Sequence, residues 1–234
     1  TLYQNLDGPD APVGSQVPVA QDGDPVGCVA DLSGNGFHLK ALGLSTRPTF
    51  RTNGSLNWLE FTGDRSTSEM QAAVTRAFRP TGGSRNAAGC FAIESLSTGA
   101  NFPVWVWHDS QGSSPTARFN ILGAEGNGSG DAAVDAFQAF AARHVIGPTA
   151  LPGRVLLTAN VRPDSLEYRE NGVVRRSGPA TIPEATADLD VVYTNFRSDG
   201  PVRFYGGLFI DRALSDQELS IVESFFASSA GIAL

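Results

Sequence analysis

The sequence predicts an all-β protein, two antiparallel sheets packed as a sandwich, closed by one short C-terminal helix. Three observations carry this reading. The 26 Gly and 14 Pro fall mostly at regular breaks between short apolar runs, as expected for many short strands joined by tight turns. Residues 154–161 and 165–169 read as a hairpin through Arg162-Pro163-Asp164, and Asn171-Gly172 supplies the positive φ of a type I′ turn before the next strand. At the C-terminal end, strand 202–210 leads through a short turn to Ser215. Ser215 and Glu218 have the spacing of a capping box. Leu219, Val222, Phe225 and Phe226 then fall on one helical face.

The remaining strands follow in order. Residues 25–30 form the first, ended by Asp31-Leu32-Ser33-Gly34-Asn35-Gly36, a hexapeptide dense in turn formers. Residues 37–42 and 58–61 resume extended structure, the latter closed by Thr62-Gly63-Asp64. Residues 79–88 read as a loop, and 89–96 and 102–107 as buried strands. Residues 117–122 form the next strand, running into the glycine-rich segment 123–131. That segment has no Lys to pair with phosphate, so it reads as a wide turn. Residues 132–143 are Ala-rich; they suit a helix or a strand pair, and the strand pair fits the surrounding meander. Strands 173–176 and 191–193 complete the count. With no composition break, residues 23–234 form one domain. Residues 1–22 lack periodicity and read as an N-terminal arm or attachment segment that orders against a partner.

The chain has 234 residues and a net charge of −7, with a pI near 4.9. Its basic residues are scattered, only Arg175-Arg176 being adjacent, so the clustered cations that release counterions from nucleic acid are missing. There is no run of 18 apolar residues, which argues against membrane insertion, and no signal peptide is visible. Cys28 and Cys90 have neither CxxC spacing nor a flanking His, and read as half-buried thiols. Whether they pair depends on an α-carbon separation that sequence does not supply.

Several segments in a fixed order carry a family resemblance. Gly23-Asp24-Pro25-Val26-Gly27, then the 31–36 turn, then Arg47-Pro48-Thr49-Phe50, then Trp58-Leu59-Glu60-Phe61-Thr62-Gly63-Asp64 resemble a concanavalin A-like (LamG-type) jelly-roll domain. It is the variety found in phage and prophage tail or surface proteins. Tyr168-Arg169-Glu170-Asn171-Gly172-Val173 is similar to that family's Asn-Gly hairpin, and residues 204–215 to its closing strand and helix start. The resemblance implies a jelly-roll sandwich of two curved sheets, an arrangement that often binds glycans. It implies a place on the surface of a virion or virion-like particle, as part of a fibre or spike, in many copies or as a homo-oligomer beside other particle proteins. It fixes no reaction, because function belongs to the site.

Retaining glycosidases of this fold carry spaced carboxylates on one strand face. Nothing equivalent is present. Glu167 and Glu170 have opposite parity, Asp188 and Asp190 lack a third carboxylate, and Glu94 stands alone in its strand. His38, His108 and His144 have no Gly-x-Ser-x-Gly elbow to serve. The expectation is a non-enzyme. LamG-type domains often hold Ca²⁺ through Asp carboxylates and carbonyls. Asp31, Asp109 and Asp131 lie near loops and are the weak calcium candidates, although Asp31 suits a turn better; no other cofactor is expected.

Glycan sites combine aromatic platforms with hydrogen-bonding groups. Trp105 and Trp107 share one face of a strand that ends in His108 and Asp109. Arg118 and Asn120 share parity on the next strand and could line that face. Tyr193, Asn195, Phe196 and Arg197 form a second polar-aromatic stretch. The tryptophans read first as core, since large aromatics dominate cores. The candidate carbohydrate-binding set is therefore Trp105, Trp107, His108, Asp109, Arg118, Asn120, Tyr193 and Arg197. The expected function is non-catalytic recognition of a cell-surface polysaccharide or host surface. The alternatives are a structural decoration or oligomerisation domain and, more distantly, a polysaccharide-cleaving enzyme.

Overall fold

The computed structural model describes residues 1–62, 70–73, 87–96, 102–108, 118–124, 131–136, 143–148, 153–179, 191–194, 201–210 and 212–234. Among them are sixteen strands and one α-helix. The first eight strands are β1 (Leu2–Tyr3), β2 (Cys28–Val29), β3 (Leu39–Ala41), β4 (Thr49–Thr52), β5 (Asn57–Phe61), β6 (Met70–Ala73), β7 (Ala87–Ser95) and β8 (Phe102–His108). Then come β9 (Arg118–Ala124), β10 (Asp131–Ala136), β11 (Arg143–Pro148), β12 (Gly153–Arg162), β13 (Ser165–Glu170), β14 (Val173–Pro179), β15 (Val191–Thr194) and β16 (Val202–Ile210), followed by α1 (Asp216–Ala230). They form a nine-stranded sheet, β1-β2-β3-β6-β15-β8-β9-β10-β11, and a seven-stranded sheet, β14-β13-β12-β7-β16-β5-β4. Every strand pairing is antiparallel. The expected two-sheet β-sandwich with a C-terminal helix is what the chain forms.

The Asn-Gly turn has its left-handed geometry, with φ of 50° at Asn171 and 74° at Gly172. The Ala-rich segment 132–143 supplies β10 and only the first residue of β11, so the strand pair expected within it is one strand whose antiparallel partner follows it in the chain. Strands β1, β4 and β6 are additions to the sequence reading; each has at most four residues, too few for alternation to register. Residues 1–22 are ordered against this chain itself. Strand β1 pairs with β2, Gln4 N–H donates to Val17 O at 2.7 Å and Val19 N–H to Leu2 O at 3.1 Å. Lys40 Nζ meets Asp10 Oδ2 at 2.9 Å.

The seven-stranded sheet is covered on both faces. Residues 155–161 of β12 are all buried, a pattern that needs a partner layer on each side. Phe91, Ile93, Val155 and Leu157 are fully shielded and point into the sandwich, while Cys90, Ala92 and Leu156 pack with Ala227 and Ala230 of α1. Both cysteines are free and buried. Cys28 lies in the other sheet, close beneath Gly8, and burial pushes the thiols up to about 11 for Cys28 and about 12 for Cys90.

Helix α1 is capped as expected: Glu218 N–H donates to Ser215 Oγ at 3.3 Å, and Ser215 N–H to Glu218 Oε2 at 2.8 Å. Gly231, at φ 65°, closes the other end. Its buried stripe is rotated from the expected one. Leu219, Glu223, Ala227 and Ala230 are buried, whereas Phe225 is 67% exposed. Small alanines let the helix lie close to the sheet, and Phe226 occupies the space left by the missing side chain of Gly206. Glu223 is tolerated because Arg169 Nε reaches its Oε1 at 2.9 Å.

The helix start is held by a buried reciprocal pair. Asn160 Nδ2 donates to Leu214 O at 2.9 Å and Leu214 N–H donates to Asn160 Oδ1 at 2.9 Å. Asn160→Ala strands the Leu214 N–H and leaves its carbonyl with Arg162 Nη2 at 3.2 Å; it is expected to cost roughly 1–3 kcal/mol in urea unfolding. Arg169→Ala leaves the Glu223 carboxylate, 2% exposed, without this partner and is expected to cost roughly 3–5 kcal/mol in the same measurement. Glu218, held by Arg212 and then by Ser215, has its carboxyl lowered from 4.5 to about 2. Its stabilisation is complete above its unfolded value and is lost as pH falls through about 2; melting curves of the protein and Glu218→Gln across that window check the sign.

Candidate functional site

The register of the nine-stranded sheet sorts its residues onto two faces, because directly opposed residues share a face and successive residues along a strand do not. One face carries Ala41 and Met70, both buried. Met70 pairs with Thr194, and Val192 with Trp107. Trp107 pairs with Phe119 and Trp105 with Ile121, which in turn opposes Val134. This is the apolar face, and both tryptophans occupy positions on it.

The other face is mixed and carries a row of polar positions. Lys40 opposes Gln71, Gln71 opposes Tyr193, and Tyr193 opposes Val106. Val106 opposes Asn120, Asn120 opposes Asp135, and Asp135 opposes Arg143. A second, shorter row runs Val191, His108, Arg118. The backbone thus brings His108, Arg118, Asn120 and Tyr193 to one face. It corrects the expectation that Arg118 and Asn120 line the face of Trp105 and Trp107: the pairing His108↔Arg118 gives them the opposite parity. Asp109 and Arg197, with Asn195 and Phe196, lie outside the described residues, as do Asp188 and Asp190.

A second constellation, missed in the sequence, lies on the helix-bearing face of the seven-stranded sheet. Glu60, Arg203, Glu94 and Arg154 stand in one register row across β5, β16, β7 and β12. Three donors converge on Glu94 Oε2: the Tyr205 hydroxyl at 2.7 Å, Arg203 Nη1 at 3.2 Å and Arg154 Nε at 3.3 Å. Arg154 Nη1 also donates to Ala230 O at 3.2 Å, tying the row to the end of α1. Arg51 Nε reaches Glu60 Oε1 at 3.2 Å. Each ring carries a cation: Arg203 stands 5.0 Å from the Trp58 centroid and Arg154 5.4 Å from that of Tyr205. The two rings are 6.0 Å apart and tilted by 45°.

A β-bulge makes this possible. The register of β16 against β7 slips between Phe204 and Gly206, which inserts Tyr205 as an extra residue beside Glu94. Burial works to raise the Glu94 carboxyl, but the Tyr205, Arg203 and Arg154 hydrogen bonds outweigh it and hold it below the usual range. Burial, then Glu94, pushes the Tyr205 hydroxyl up to about 12. The network draws on four strands separated by up to 111 residues. The parity of Trp58 with Glu60 and of Arg203 with Tyr205 was its one local sign.

Asp31 locks a turn. Its Oδ1 accepts from Ser33 N–H at 2.8 Å, and its Oδ2 from Ser33 Oγ at 2.7 Å and Phe37 N–H at 3.1 Å. Asp131 opens β10 opposite Pro148. Among the described residues no group of three or more His, Cys, Asp or Glu is placed to hold a metal ion.

With two antiparallel sheets and one C-terminal helix, the chain falls in the class of two-sheet β-sandwiches. Solved structures of this fold include the binding domain of Paraclostridial Mosquitocidal Protein 1 (TM-score 0.60, 14% identity, 85% of this chain and 49% of that one). The binding domain of botulinum neurotoxin serotype G is similar (0.59, 11%, 85% and 49%). So is the binding domain of botulinum neurotoxin DC, solved in complex with SialylT (0.54, 10%, 80% and 50%). At these identities the likeness is one of fold, and the chain spans about half the length of each structure. No family model and no curated protein matches the sequence.

Glu94→Gln keeps the side chain's shape and removes its charge. The Tyr205 hydroxyl is then expected to ionise below about 12, moving towards its ordinary 10.0. An absorbance titration of tyrosinate, with Tyr205→Phe to assign the signal, measures the shift.

Proposed function

We propose that the protein is a non-catalytic recognition module that binds cell-surface carbohydrate through the polar face of its nine-stranded sheet. The observation that carries this reading is the register row Lys40, Gln71, Tyr193, Asn120, Asp135, Arg143 with His108 and Arg118 beside it. Amide, hydroxyl and charged groups spread over neighbouring strands are the donors and acceptors that sugar hydroxyls need. The binding domains that share the fold support a binding role, one of them solved with SialylT and another with rat synaptotagmin II. The order of motifs supports a LamG-type component of a phage or phage-like particle, in which many copies would turn weak glycan contacts into firm attachment.

A hydrolytic role has less support. Glu60 and Glu94 flank Arg203 from neighbouring strands, but both are paired with arginine. Glu94 is held ionised, whereas glycoside hydrolysis needs one carboxylic acid kept protonated.

The test is binding to whole cells and to a glycan panel, with and without EDTA, followed for released sugar. Saturable binding without product is expected, weakened about tenfold or more by Asn120→Ala or Tyr193→Ala. Trp105→Phe is expected to lower thermal stability and spare affinity. Absence of binding to any cell or glycan would instead favour a structural decoration domain, and released oligosaccharide an enzyme. Loss with EDTA would bring calcium into the site.

A further inference from the structure

We propose that the shelf beside α1 is a second, separate binding site, for a neutral pyranose unit of a glycan, with Trp58 and Tyr205 as its stacking rings. Arg203, Glu94, Arg154 and Glu60 are its hydrogen-bonding groups. It lies on the face of the seven-stranded sheet that points away from the nine-stranded one, so it does not share residues with the polar row.

The position follows from how far the helix reaches. Helix α1 packs on β7, β12 and β16, and the outward positions of β5 and β4 lie beyond them. There Arg51 and Glu60 remain 37% and 27% exposed, and Trp58 and Tyr205 are half-buried. The helix end forms one side of this step, with Gly231 close to both Leu56 and Arg154.

The chemistry selects the ligand. Arg51, Arg154 and Arg203 balance Asp22, Glu60 and Glu94 through direct ion pairs. A charged ligand would meet no net complement, whereas a neutral polyol finds alternating donors and acceptors at strand spacing. All three donors to Glu94 use Oε2, and its Oε1 accepts none of them. Two N–H groups in the same cluster, Trp58 Nε1 and Arg203 Nε, are buried with no hydrogen-bond partner. Glu60 Oε2 stands 3.7 Å from Arg203 Nε, beyond hydrogen-bond range. Unmet buried donors are costly, and sugar oxygens are the acceptors they lack. Because Arg203 stands over the Trp58 ring, its guanidinium must swing aside for a sugar to stack, and the sugar's C–H face then takes the place of the cation on the negative ring face.

The chain has three tryptophans, hence three indole N–H signals in a ¹⁵N-resolved NMR spectrum. Trp58→Phe identifies one by its loss, and unchanged signals from Trp105 and Trp107 show that this variant is folded. Titration with cellohexaose, maltohexaose and chitohexaose is expected to shift the Trp58 signal saturably for at least one of them. Affinity for that sugar, measured by titration calorimetry, is expected to fall about tenfold in Trp58→Phe or Tyr205→Ala. A Trp58 signal that none of the three moves, or a shift with unaltered affinity in both ring variants, overturns the proposal. Cell binding that depends on Asn120 alone would then still stand, so the two sites fail separately.

Discussion

The two hydrogen bonds that Asn160 exchanges with the backbone of Leu214 decide where the C-terminal helix begins, and much of the seven-stranded sheet depends on that. An amide side chain in the middle of a buried strand face would be a defect by itself. Here it serves as a socket: Asn160 Nδ2 and Oδ1 match the carbonyl and N–H of Leu214, and Arg162 Nη2 reaches the same carbonyl at 3.2 Å. Set down at that point, α1 runs along β7, β12 and β16 and shields Cys90, Ala92 and Leu156. Without that cover these strands would present an apolar outer face to water.

The ion pair between Arg169 and Glu223 acts farther along the same interface. A carboxylate 2% exposed needs a partner, and Arg169 also donates to Glu167 and to the Gly172 carbonyl at the Asn-Gly turn. Helix, β13 and hairpin turn are therefore linked by one guanidinium. Charge here aligns elements whose apolar contacts, made by small alanines, would permit sliding. The exposure of Phe225 follows from the same alignment, since the stripe that meets the sheet passes through Glu223 and Ala227 instead.

The helix's reach also divides the outer face of this sheet. Under it, packing is apolar; past its edge lie the Trp58–Tyr205 rings and the Glu94 network. The bulge at Tyr205 is the local irregularity that adds a phenol to a carboxylate the regular register already sets between two arginines. The nine-stranded sheet is organised differently: antiparallel register from β3 to β10, with shifts around Pro103, sorts apolar positions to one face and a row of polar positions to the other. The expected association of Arg118 and Asn120 with the tryptophans failed there for a definite reason. Parity within one strand is readable, but the offset between two strands is set by the pairing itself, and one residue of offset exchanges the faces.

Strand and helix identity was largely legible in the chain. Alternation, Gly and Pro punctuation, the Asn171-Gly172 turn and the Ser215–Glu218 box are local signals, each arising from contacts within a few residues, and together they imply a β-sandwich with a terminal helix. Short strands such as Leu2–Tyr3 and Met70–Ala73 carried too few residues to show a period. Which side chains meet was decided by tertiary structure alone. Glu94 finds Tyr205, Arg203 and Arg154 from positions 60 to 111 residues away, and His108 finds Arg118 by register. Such meetings depend on strand order and offset, which are set by the free energy of the whole packed sandwich and leave no mark on any short stretch of sequence.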